Sequence, residues 1–254
     1  MRTSTRWLVS AGLLGAGAAL QAVAVRMAWL PCAGQSIDAF SPECLRAMDG
    51  TNPLPVIIRP EGLVLPEILS LGAMAALSLA WLVVLPSIRT GRRARVALAA
   101  PSLLALAAVL TLALGAPVEA LLVTIDAASI VALLVLVAAR DLEPDGHRVR
   151  YAVVLAGATA MSFGNLMLEY SVAISLSEAD WDVPPHTGYL TVVGLGLAAA
   201  VVAGWDRVGR AYEHLARSAQ PGRQATPRPP DGRAVGRSRS GQAPGTDHRW
   251  ALLS

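Results

Sequence analysis

Six long apolar runs alternate with short polar connections along this chain, and that alternation predicts the architecture. The runs cover about 7–30, 63–85, 96–114, 118–139, 151–174 and 187–205. Each is long enough, or nearly so, to cross the roughly 30 Å hydrocarbon layer as a helix. The predicted fold is therefore an all-α bundle of six transmembrane helices, occupying 7–206 after a short basic head at 1–6. A polar, Pro-rich segment at 31–62 reads as an outer loop. The Arg-rich, Pro-, Gly- and Ser-bearing stretch at 207–254 reads as a tail, helical at first and then disordered. Turn chemistry marks the other joints: Gly115-Ala116-Pro117, and Pro144-Asp145-Gly146.

The first run has a rival reading. Arg2 and Arg6 before an apolar stretch, with Ala22-Val23-Ala24 at its far side, resemble a signal peptide and its cleavage site. The apolar run continues past that point to Leu30, which favours a retained helix.

Arginine placement sets the expected orientation. With both termini in the cytoplasm, Arg2 and Arg6, four arginines at 89–95, three at 140–150 and nine in the tail all lie inside, 18 of the 21. The reverse orientation would break the positive-inside rule. The chain is then expected in a plasma membrane, with lipid as its solvent and anionic headgroups as partners of the tail. Nucleic acid is not an expected partner despite a pI near 9.3, because no aromatic interleaving or folded module accompanies the charge. All the basic residues are Arg and none is Lys, which suggests a GC-rich, bacterial genome.

Composition adds little to the pattern. Charged residues make up 15%, against about 25% in soluble domains, and mean hydropathy is +0.50.

The fifth run carries two faces. Ala152, Ala156, Ala160 and Gly164 recur every four residues, a small-residue ladder of the kind that lets a second helix approach closely. A similar set, Ala11, Gly15 and Ala19, occurs in the first run. Ser162, Asn165 and Glu169 form a polar stripe beside the ladder on what reads as one continuous helix.

Ionisable residues inside apolar runs are costly unless paired or hydrated, so they are the candidates for function. Asp126 falls within a few Å of the expected midplane, and Glu119, Glu169 and Arg26 fall roughly 10–13 Å towards the outer side. Arg26 pairing with Glu119 or Glu169 is the structural expectation. A proton or cation site lined by Asp126, Glu119, Glu169 and Asn165 is the functional one. Cys32 and Cys44 both lie in the outer loop, and a structural disulfide is expected there. Eleven residues separate them, against the two of a redox-active pair. Glu178, Asp180, Asp182 and His186 crowd another outer loop around Trp181. They lack the spacing of an EF-hand and read as a solvated loop with an interfacial Trp.

Catalytic signatures are missing: the chain holds no G-x-S-x-G, H-E-x-x-H, Walker A or dinucleotide fingerprint. His147, His186, His214 and His248 all lie outside the apolar runs, so no haem is expected in the bundle, and no metal or other cofactor. The expected role is a non-catalytic membrane component, a subunit or scaffold with a membrane-protein partner. The alternative is a small proton- or cation-coupled transporter using Asp126, Asn165 and Glu169. Geometry separates them: a closed bundle with Asp126 on Arg26 favours the first, and a cavity shared by Asp126, Asn165 and Glu169 the second.

Overall fold

The structure, a computed structural model, describes residues 3–34, 41–50, 63–116, 118–138, 145–177 and 187–218. Among the described residues every regular element is helical. The helices are α1 (Thr3–Ala28), α2 (Pro42–Gly50), α3 (Leu65–Val84), α4 (Arg92–Ala113), α5 (Glu119–Ala138), α6 (Asp145–Ala158), α7 (Phe163–Ser177) and α8 (Tyr189–Ser218). Four stretches are long and apolar enough to cross a membrane: Ser4–Ala28, Leu65–Ser87, Arg92–Ala113 and Leu121–Ala138. They mark a multi-pass membrane protein. The chain divides into two compact units, Met1–Arg210 and Ala211–Ser254. All contacts described below lie within the first.

Helix boundaries follow local chemistry. Glu67 turns back to accept the N–H of Val64 at 2.9 Å, satisfying one backbone donor at the start of α3, where Pro66 needs none. At the end of α4, Gly115 adopts φ +75°. Its N–H bonds Leu112 O at 2.9 Å and the next N–H, of Ala116, bonds Thr111 O at 3.0 Å. This is the Schellman arrangement, which a residue with a Cβ would strain.

Contacts fix the helix directions. Arg6 Nη1 donates to Ser87 Oγ at 3.2 Å, Gly17 lies against Leu77, and Leu20 meets Gly72. Helices α1 and α3 are therefore antiparallel. A Cβ on Gly17 would lie 2.7 Å from Leu77 Cδ2, so the two axes close up at that point. Trp7 packs on Tyr151 and Leu14 on Gly157, so α6 runs parallel to α1. The core of Leu14, Leu77, Trp81, Val84 and Leu98 is fully enclosed. Trp81 Nε1 donates to Leu98 O at 2.6 Å, beside the carbonyl that Pro101 in α4 leaves without its helical donor.

One end of the bundle gathers arginines. Arg150 is buried, stacks 4.2 Å from the Trp7 ring and donates from Nη2 to Val202 O at 2.8 Å. The other end carries the disulfide Cys32–Cys44, with Cα atoms 4.7 Å apart. Trp29, Cys32, Cys44 and Met48 form a second small core, against which Val192 of α8 packs. Trp29 Nε1 donates to Thr187 O at 2.8 Å, which ties the α1 end to the start of α8.

The apolar run 151–174 departs from a single helix. It breaks at 159–162 into α6 and α7. Thr159 Oγ1 donates to Leu155 O at 3.0 Å, and Ser162 N bonds Thr159 O at 3.0 Å. These local bonds give the backbone an alternative to the helical ladder. Asn165 Nδ2 then locks the turn by donating to Thr159 O at 2.8 Å and Ser162 Oγ at 3.3 Å.

Candidate functional site

Beside the break lies an open-sided chamber of about 890 Å³ between α5, the α6–α7 step and α8, with many of its lining residues exposed. Small side chains leave the room for it: Ala156 and Ala160 on α6 and the turn, Gly164 on α7, Gly194 and Ala198 on α8. The polar residues of the wall are Asp126, Ser129, Thr159, Ser162, Asn165, Glu169 and Thr191.

Asp126 sits about 5 Å along the axis from the middle of its apolar stretch. Its Oδ2 accepts the N–H of Gly164 at 3.0 Å. Gly164 is the second residue of α7, one of the positions whose N–H has no partner inside the helix. A carboxylate there also meets the positive end of the helix dipole.

Glu169 repeats the arrangement one helix later. It is 5% exposed. Oε1 accepts the N–H groups of Gly188 at 2.7 Å and Leu190 at 2.9 Å. Oε2 accepts Thr191 N at 3.2 Å and the Thr191 hydroxyl. The residue before α8 is Gly188, with φ +106° and no side chain to cap with. The capping acceptor therefore comes from another helix.

These contacts decide where each expected site residue lies. Asp126, Asn165 and Glu169 share one chamber. Arg26 is exposed and forms no ion pair with Asp126 or Glu169, whose oxygens are held by helix ends instead. Glu119 opens α5, and its side chain lies outside the described residues, as do Glu178, Asp180, Asp182, His186 and the chain after 218. Of the ladder, Ala152 packs against the core, while Ala156, Ala160 and Gly164 border the chamber. The close approach falls one residue on, at Gly157, where a Cβ would stand 2.9 Å from Leu14 Cδ2. Cys32 and Cys44 are joined, and among the described residues no cluster of three or more His, Cys, Asp or Glu is placed to hold a metal.

Thr159, Thr191 and Ser129 were not singled out from the sequence. A Thr and a Ser three apart, with Asn three further on, signal a break in an apolar run. Ser129 and Thr191 carry no comparable local signal. No protein-family model, characterised protein or solved structure matches the chain.

Proposed function

We propose that this protein is a small membrane permease whose substrate chamber is the space at the α6–α7 break. The observation that carries this reading is the convergence of Asp126, Asn165 and Glu169 on one cavity of about 890 Å³. Discontinuous helices near mid-membrane are a recurrent way to bring helix ends and free backbone carbonyls to a substrate. In this reading α6 and α7, 14 and 15 residues long, together make one crossing, and the apolar part of α8 makes another, for six in all.

The topology follows from the arginines. Arg6 and Arg150 stand at the same end of the bundle, and that end belongs in the cytoplasm of a plasma membrane together with both termini. The tail then lies on anionic headgroups.

A second reading is a non-catalytic membrane subunit or scaffold. What favours it is that Asp126 and Glu169 both serve as caps for neighbouring helices. In that reading lipid tails fill the space beside the exposed Ala156, and a thiol there stays out of contact with water.

Thiol access tests the proposal. The two natural cysteines are joined, so Ala156→Cys supplies the one free thiol. In native membranes, N-ethylmaleimide should label it. Ala108→Cys, at a fully buried position in α4, should stay unlabelled. If the two behave alike, the permease reading fails.

A further inference from the structure

We infer that the chamber takes an organic monocation with an apolar body, such as a long-chain primary ammonium, and that this ligand enters sideways from the acyl-chain layer. The inference rests on the chamber reading above and adds the ligand's chemistry and route.

The route comes from the mouth. Ile130 and Leu133 of α5 and Leu197 of α8 border the cavity and are exposed apolar side chains. Helix α5 lies in one of the stretches long and apolar enough to cross a membrane. An opening rimmed by these residues faces lipid rather than either aqueous end, so a ligand arrives with its apolar part already dissolved in the bilayer.

The charge comes from the polar wall. Asp126 and Glu169 are acidic, and none of the described lining residues is Arg, Lys or His. Each carboxylate faces one helix N-terminus, equivalent to about half a positive charge. Glu169 is filled by four donors, whereas Asp126 accepts one, at Oδ2, so its second oxygen is left open to a donor from a ligand.

Hydrogen bonding points the same way, independently of the charge. Asn165 spends its N–H donors on Thr159 O and Ser162 Oγ. Ser129 donates its hydroxyl to Ile125 O at 2.7 Å. Thr159 donates to Leu155 O, and Thr191 to Glu169. What these side chains still offer are acceptors: the Asn165 amide oxygen and hydroxyl lone pairs. A wall of acceptors with two acidic side chains and no basic one fits an ammonium group, which has donors only. It repels a carboxylate and under-uses an alcohol.

The test uses Ala156→Cys in vesicles of zwitterionic phosphatidylcholine, with protection from methyl methanethiosulfonate, a thiol-selective reagent that a primary amine does not consume, as the readout. Dodecylamine should protect the thiol, while dodecanol and dodecanoate should not. Gly194→Asp adds an acidic side chain at a wall position with open space around it, and should lower the half-protecting dodecylamine concentration by roughly tenfold or more. Asp126→Asn should raise it. Equal protection by dodecanol or dodecanoate overturns the cation assignment and leaves the chamber standing. So does a labelled thiol that dodecylamine fails to protect, or a Gly194→Asp protein with unchanged protection. A thiol that no reagent reaches removes the chamber itself.

Discussion

Asp126 Oδ2 accepts the backbone N–H of Gly164 at 3.0 Å, so a side chain of α5 caps the first turn of α7. That bond holds the far half of a broken helix in place at the depth where the chamber opens. It also predicts how Asp126 variants behave. Asp126→Asn keeps an amide oxygen for the Gly164 N–H, whereas Asp126→Leu removes the bond, a loss of about 0.5–1.5 kcal/mol at this exposed position. Thermal melting in detergent should therefore rank wild type above Asp126→Asn and both above Asp126→Leu. Arg26→Gln should melt with wild type, because Arg26 is exposed and unpaired with Asp126. Rescue of Asp126→Asn by Arg26→Gln would contradict this arrangement.

Glu169 should be the most sensitive polar position. Glu169→Ala removes the acceptor of three N–H groups and one hydroxyl at the start of α8. Bonds to a charged group are worth about 1.5–3 kcal/mol each when made, and the stranded donors are buried or half-buried. Hydrogen exchange followed by mass spectrometry should show loss of protection at 188–192 with the α1 and α3 peptides unchanged. Protection that stays intact would mean α8 holds its start by other means.

Close helix packing should be sensitive at Gly17 rather than at Ala156. A methyl at Gly17 meets the fully buried Leu77 and, at 3.4 Å, the Ala73 carbonyl oxygen. Overpacking of this kind costs about 1–3 kcal/mol. Ala156→Leu adds more volume at an exposed wall of the chamber and should fall within about 0.5 kcal/mol of wild type. A double-mutant cycle should show that Leu77→Ala relieves part of the Gly17→Ala cost. Additive effects would place the contact elsewhere.

How much of this was legible beforehand depended on whether the cause was local. Leu63 to Leu85 and Val96 to Leu114 declare themselves as helices by the length of their mainly apolar runs, and Gly115 declares its own turn. The pairing of Cys32 with Cys44 follows from there being no other cysteine. The break at 159–162 was written in hydroxyl and amide residues, yet an apolar run of that length reads more readily as one helix. The partners of Asp126 and Glu169 were not legible at all. Their acceptors meet N–H groups 38 and 19 to 22 residues away, and backbone donors carry no residue-type signature. An arginine is the conspicuous counter-charge for a buried carboxylate; a helix end does the same work without a charged side chain.

Reduction should loosen one end of the bundle. The disulfide holds Cys32 and Cys44 in the small core that touches Val192, next to the Trp29–Thr187 bond. Closing a loop of this length contributes about 3 kcal/mol on the chain-entropy account. Dithiothreitol should lower the melting temperature and raise exchange at 187–192, and maleimide should label both thiols only after reduction. Labelling of untreated protein would contradict the pairing.

The most direct test of the chamber is native mass spectrometry of protein released from its own membrane. Ala156→Trp fills the cavity from an exposed wall position and leaves the packed core alone. Wild type should retain a bound low-mass species that Ala156→Trp lacks, with both proteins equally folded. Identical spectra from the two, whether both bare or both carrying the same species, would contradict a binding chamber at the helix break.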